Sequence, residues 1–202
     1  VNKNPVLIPQ LPTTDWPTLS EILECLPAPR GVHNWKKKNS KWYEKQRKSR
    51  EVSKEVRRLA LLMVRGKAFN IIPENPETIG YLMNFTKWFT KVNPKVIAVD
   101  QPIWDSGYRF RTNLDLIHER KGKTWLTTIT TAKRIGTYHH ARLSGLKTAI
   151  VHMMVRGAET DFPLSFPDKM SILRLEEKQN SYYEHESDGD FDAFERAYNA
   201  IR

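Results

Sequence analysis

Apolar residues recur along this chain first at helical and then at strand spacing. Pro5, Pro9, Pro12 and Pro17 punctuate residues 1–17, which therefore read as an extended arm. Thr18–Leu26 is a short amphipathic segment with Leu19, Ile22, Leu23 and Leu26 on one face, and a Pro- and Gly-rich run over 27–31 breaks the chain behind it. From Asn34 to Arg65 the period is helical. Val52, Val56, Leu59, Met63 and Val64 form an apolar stripe, while Lys48, Lys54, Arg57, Arg58 and Arg65 lie largely off it. Gly66 suits a helix C-cap, and a second helix spans about Pro76 to Val92 with Ile79, Leu82, Met83, Phe85, Trp88 and Phe89 as its apolar set.

The period then drops to two. Lys95–Trp104, Tyr108–His118 and Thr124–Thr131 read as three strands, the last two joined by a tight hairpin at Lys121-Gly122-Lys123. A long helix from about Thr137 to Val155 turns Leu143, Leu146, Ile150, Met153 and Met154 inward. Met170–Leu175 and Tyr182–Glu186 are two further strands. Asp188–Ile201 is a closing helix, with Asp at its N-terminus and Phe191, Phe194 and Tyr198 on one face. The expected fold class is α+β or mixed α/β, a central sheet flanked by helices. With no repeat and no dividing linker, the 202 residues read as one domain: an arm and short helix over 1–33, a basic helical region over 34–92, and the core sheet and helices over 93–202.

Charge adds a direction to this plan. The net charge is +10, and residues 36–67 hold 13 Lys and Arg against 3 Asp and Glu, whereas residues 159–202 hold 5 against 11. A field so asymmetric suits a polyanion partner, because each phosphate contact releases counterions, although a solvated Lys-rich helix face gives the same count. Lys36, Lys37, Lys38, Lys41, Lys48, Lys54, Arg57 and Arg58, with Arg111, Lys133, Arg134 and Arg142 further on, are the candidate nucleic-acid contacts, DNA ahead of RNA. Trp35, Trp42 and Tyr43 interleave with the first of these and suit base stacking, or equally the anchoring of a helix to the core. Cys25 is the only cysteine, which rules out a disulfide framework and suits a reducing setting, intracellular or virion-associated. No apolar run reaches the roughly 20 residues of a membrane span, and no secretory signal is visible.

Three blocks resemble one family. "WPTLSEILECLPAPRGVHNW" (16–35) resembles the opening of phage and mitochondrial exonucleases of the RecB-like, or PD-(D/E)XK, nucleases. "VIAVDQPIWDSGYRFRTNLDLIHERKGKTWLTTITTAKRIGTYHHARLSGLKTAI" (96–150) resembles their catalytic core, and "SILRLEEKQNSYYEHESDGDFDAFERAYNAI" (171–201) their closing strands and helix. The resemblance implies the restriction-endonuclease-like fold of that family and a site in which carboxylates hold Mg²⁺ or Mn²⁺ while a lysine orients the attacking water.

Residue by residue, the chain departs from that pattern. Asp115 matches the first metal-binding aspartate, and Asp100 stands where the family often has Glu, so these two are the candidate metal ligands. Thr128 and Thr130 occupy the places of the next acid and of the lysine two residues on. Arg57 falls where a helical histidine is expected, Thr112 replaces a glycine, and Arg142 and Leu146 replace a Gln and a Tyr. A threonine hydroxyl cannot stand in for a carboxylate on a hard divalent ion, nor for an ammonium beside phosphate. The expectation is a vestigial site with no confident catalytic residue: Asp100, Asp115, Thr128 and Thr130 as its remnants, no cofactor, and Mg²⁺ or Mn²⁺ only if activity survives. Glu119-Arg120-Lys121 also spells acid–x–Lys but falls at a hairpin tip, and the adjacent His139-His140 point about 100° apart on a helix, unlike a chelating pair.

The leading expectation is a nucleic-acid-binding protein of nuclease descent, inactive or nearly so, that coats or packages DNA or serves as a non-catalytic subunit beside protein partners. Two alternatives remain: an exonuclease rebuilt from Asp100, Asp115 and a displaced Lys133, and a structural protein whose basic face meets RNA or an acidic protein.

Overall fold

The computed structural model describes residues 15–28, 36–37, 41–66, 72–158, 160–177 and 181–201. Most of the arm over 1–17, together with Trp35 and Lys38, lies outside the described residues. The first helix, α1 (Leu19–Leu23), starts at a capping box: Thr18 Oγ1 accepts from the Glu21 amide at 3.2 Å and Glu21 accepts from the Thr18 amide at 2.7 Å. The second, α2 (Trp42–Val64), buries Val52, Val56 and Leu59 as the stripe predicts. Met63 and Val64, in its last turn, are only half-buried. Behind it Gly66 takes the left-handed conformation (φ 68°) expected of a residue that ends a helix.

The third helix, α3 (Glu77–Val92), is held to α2 by a residue that the stripe alone makes look like a surface acid. Glu55 is buried and accepts from the amides of Glu74 (2.6 Å) and Asn75 (3.3 Å), from the Asn75 side chain (2.9 Å) and from Thr78 Oγ1 (2.8 Å). A carboxylate at a helix N-terminus satisfies donors that the helix leaves unpaired. Burial disfavours its charge, but these donors outweigh that and hold its pKa below the ordinary range. Of the apolar set of α3, Phe85 and Trp88 are buried, whereas Ile79 and Met83 are exposed.

The central sheet has five strands in the order β1–β4–β5–β6–β7. β1 (Lys95–Val99) pairs antiparallel with β4 (Leu116–Arg120) and β4 with β5 (Lys123–Thr130), β6 (Lys169–Leu175) is parallel to β5, and β7 (Tyr182–Glu186) is antiparallel to β6. The parallel step is bridged by α4 (Thr137–Val155). The chain closes with α5 (Phe191–Ile201), which begins later than expected: Asp190, not Asp188, caps it through the Ala193 amide at 2.9 Å, and Gly189 before it is left-handed. Helices cover both faces. Val52, Val56, Phe85 and Trp88 pack on Leu116, Ile129 and Leu173 from one side, while Leu19, Ile22, Leu146, Ile150 and Phe194 pack on Ile117, Leu126 and Ile172 from the other. Adjacent residues point to opposite cores, as the strand period of two demands. Gly145 admits the close approach of α1 and α5 to α4, since a Cβ there would lie 2.6 Å from Leu19 and 3.1 Å from Phe194. Met154 of α4 is exposed rather than inward. Among the described residues no helix is long and apolar enough to cross a membrane.

Two expected strands prove to be four. Lys95–Trp104 divides into β1 and β2 (Pro102–Asp105), and Tyr108–His118 divides into β3 (Phe110–Asn113) and β4, with β2 and β3 pairing as a separate two-stranded sheet. The two breaks lie side by side. The Asp100 amide donates to the Asp115 carbonyl and the Leu114 amide to the Gln101 carbonyl, both at 3.0 Å, and Asp100 turns the chain through a left-handed conformation (φ 48°). At the second break Leu114 and Leu116 keep the alternation, so the period of two does not reveal it; at the first, the polar pair Asp100-Gln101 followed by Pro102 was the available signal.

Candidate nucleic-acid interface

The paired break decides where the acids sit. Leu116 is opposite Thr127, so Asp115 is the first residue beyond the β4–β5 ladder. Its side chain supplies the next acceptor: Oδ2 takes hydrogen bonds from the Ile129 amide (2.8 Å) and Thr128 Oγ1 (2.9 Å). Oδ1 faces two arginines. Arg57 of α2 approaches it through Nε at 2.7 Å and through Nη2 in a close ion pair, and Arg142 of α4 brings Nη2 to 3.5 Å. The same two guanidiniums donate to the Asn113 carbonyl, at 3.3 and 3.4 Å. Asp115 is fully buried. Burial opposes its ionisation, but Arg57 first and Arg142 next, with the Ile129 amide, hold its carboxyl below the ordinary range; Asp115 in turn raises the pKa of Arg57.

Asp100 is also engaged. Asn113 Nδ2 donates to it at 3.1 Å, and Arg65 lies 3.7 Å from its carboxylate while bonding the carbonyls of Val99 and Asp100. Around these groups opens a cleft of about 520 Å³ between α2, β5 and the start of α4. Its walls carry Lys54, Arg57 and Arg58 from α2 and Arg142 and His139 from α4, with Thr128 and Thr130 on its floor. His139 accepts from the Gly136 amide and meets Thr130 Oγ1 at 3.2 Å, and burial depresses its pKa, which favours the neutral ring. Among the described residues four formal cations therefore line the cleft against two carboxylates, both already paired.

The remaining candidates are spread more widely. Lys36 lies over the Trp42 ring at 4.4 Å, and Lys37 and Lys41 are exposed near the start of α2. Lys48 is ion-paired to Glu77, Arg111 is exposed on β3, and Lys133 and Arg134 are exposed beyond β5; none of these lines the cleft. Leu146 is buried in the α4 core. His140 bonds Ser187 at 2.7 Å, away from His139 and its threonine, and Glu119 pairs with Lys95 at 3.1 Å.

The residues at Asp115 do not fit a divalent metal. A hard cation asks for several free oxygen ligands. Here both oxygens of Asp115 are saturated by donors, two of them cationic, and Thr128 offers a hydroxyl that already donates to Asp115. Among the described residues no three His, Cys, Asp or Glu side chains gather in metal-binding geometry.

Fold and cleft together define a mixed α+β protein with an arginine-filled, cationic groove over one end of its sheet. No protein-family model matches the chain, and no curated protein is significantly similar to it.

Proposed function

We propose that the chain is a nucleic-acid-binding protein of RecB-like nuclease descent, and that it holds phosphate in the cleft without hydrolysing it. One observation carries this reading: Asp115 stands between Arg57 and Arg142, and Lys54 and Arg58 add positive charge to the same walls. In a nuclease of the resembled family such an aspartate serves a metal; here guanidiniums take up its charge and leave a cationic surplus suited to phosphate. The order of elements, α2 and α3, three antiparallel strands of the central sheet with the β2–β3 pair inserted after the first, α4 and then a strand parallel to the third, supports that descent. Lys133, which a rebuilt catalytic site would need, stands outside the cleft.

Fluorescence anisotropy with labelled DNA tests the binding. Affinity is expected to fall at least about tenfold between 50 and 200 mM salt, as contact with several phosphates requires. Incubation with Mg²⁺ or Mn²⁺ is expected to leave the DNA intact. A flat salt response would remove the electrostatic basis of the proposal, and cleavage that disappears in Asp115→Ala would restore the nuclease reading.

A further inference from the structure

The cleft does not end at its own walls. Tyr43, Arg47, Arg50, Lys54 and Arg58 are separated by four, three, four and four residues on α2. At about 100° per residue these fall within a band of about 80°, on the side away from Val52, Val56 and Leu59. All five are exposed, Tyr43 by 64%. Lys54 and Arg58 belong both to this band and to the cleft walls. Among the described residues the outer two arginines form only long, solvent-exposed ion pairs: Arg47 to Glu51 at 3.7 Å and Arg50 to Glu24 at 3.8 Å. Such pairs contribute little and yield readily to a competing anion.

We infer that this band is a track for single-stranded nucleic acid, running from a phosphate in the cleft along α2 to a base stacked on Tyr43. The inference rests on the function proposed above and adds to it the form of the ligand and the direction in which it lies. From Tyr43 to Arg58 the helix rises about 22 Å at 1.5 Å per residue, within the range of sites that take about 4–16 nucleotides. A single row of cations ending in one exposed ring matches one backbone with accessible bases. A duplex offers its bases edge-on, buried in the stack, and is too wide to follow its backbone into a cleft of about 520 Å³. Lys36, over the Trp42 ring beside Tyr43, adds a cation at the far end of the track.

The test is binding of labelled single strands of about three and about twelve nucleotides, and of a twelve-base-pair duplex, to wild type, Tyr43→Ala and the double variant Arg47→Ala/Arg50→Ala. All three substituted side chains are exposed, and circular dichroism with thermal melting verifies that the variants fold. The longer strand is expected to bind at least tenfold tighter than the trimer and than the duplex. Tyr43→Ala is expected to weaken the longer strand about tenfold, the size of one lost stacking contact, and to leave the trimer unchanged. The double variant is expected to lower the salt slope for the longer strand by about 1.4, at about 0.7 per phosphate contact. Equal binding of trimer and longer strand, or equal binding of duplex, or a longer strand indifferent to Tyr43→Ala, would overturn the track while leaving phosphate binding in the cleft standing. If Arg58→Ala weakens every ligand but the outer variants weaken none, the site is the cleft alone. Failure of every oligonucleotide to bind would overturn the underlying function itself.

Discussion

Two carboxylates at the central sheet, the half-buried Glu184 and the fully buried Asp115, are held in opposite ways. Glu184 of β7 meets one cation, Arg120 at 2.7 Å, and otherwise neutral donors: the Trp88 indole at 3.2 Å and Ser171 Oγ at 3.0 Å. From Ser171 the row continues through Thr127 to His118, each step 2.9 Å, across four strands of an unbroken ladder. Charge there is balanced and the row is closed in by α3. Asp115 sits where the ladder stops, meets two guanidiniums, and opens onto a cleft. A carboxylate matched by one cation is accounted for by packing. One matched by two, with further cations at hand, leaves a surplus that no acid absorbs among the described residues of the cleft, and the contrast separates a structural polar row from a candidate site.

Arg57→Ala gives the sharpest break of this contrast. It strips the closest cation from a fully buried carboxylate, so a loss of about 3 kcal/mol is expected in urea unfolding, at the lower end of the range for a broken buried pair because Arg142 remains. Adding Asp115→Asn to it removes the stranded charge and is expected to recover most of that loss. An Arg57→Ala protein as stable as wild type would show that Asp115 does not depend on the clamp.

The balanced row is broken by acid. Burial first, and then Arg120, depresses the pKa of His118 from 6.5 to about 4. The unfolded chain therefore binds a proton at His118 between these values while the folded protein does not, so stability falls as pH drops from 6.5 towards 4, by about 3 kcal/mol in full. His118→Gln is expected to flatten this part of the stability–pH curve. Asp115, with its pKa held below the ordinary 3.8, takes effect lower: its contribution is complete above that value and is lost as pH falls below it. Denaturation midpoints from pH 7 to 3 in wild type and His118→Gln would separate the two, and identical profiles above pH 4 would count against a buried neutral histidine.

Thr128→Val sharpens the comparison by the smallest step. It keeps the side-chain shape and removes one hydrogen bond to the Asp115 carboxylate, while the Ile129 amide and both arginines remain; about 1–2 kcal/mol is expected in the same unfolding assay. No change at all would mean that water replaces the hydroxyl, which the burial of Asp115 does not favour.

Much of the architecture was legible in the sequence because it depends on local spacing. The α2 stripe, the Lys121-Gly122 turn and the strand-forming runs of β5 and β6 all follow from neighbours within a few residues. What was missed depends on residues far apart. The burial of Glu55 gave no local signal, because its partners Glu74, Asn75 and Thr78 come about twenty positions later. The His118–Glu184 row was invisible because its members lie on four strands. The apolar set of α3 did not reveal that Ile79 and Met83 face outward, because a list of apolar residues on a helix does not say which side is covered. At the site, the resemblance singled out Asp115, Thr128, Arg57 and Arg142 together, and the fold gathers them. Neither charge count nor periodicity could show that the two arginines would be spent on the aspartate itself, since that depends on the paired strand break at Asp100 and Asp115.

The clamp has a further meaning for recognition. An arginine on an open surface samples many rotamers, and fixing it on a ligand costs up to about 2 kcal/mol of side-chain entropy. Arg57 and Arg142 are already confined by Asp115 and the Asn113 carbonyl, so that ordering took place when the chain folded. A phosphate arriving in the cleft meets two guanidiniums already stilled, and the buried aspartate acts as the splint that keeps them so.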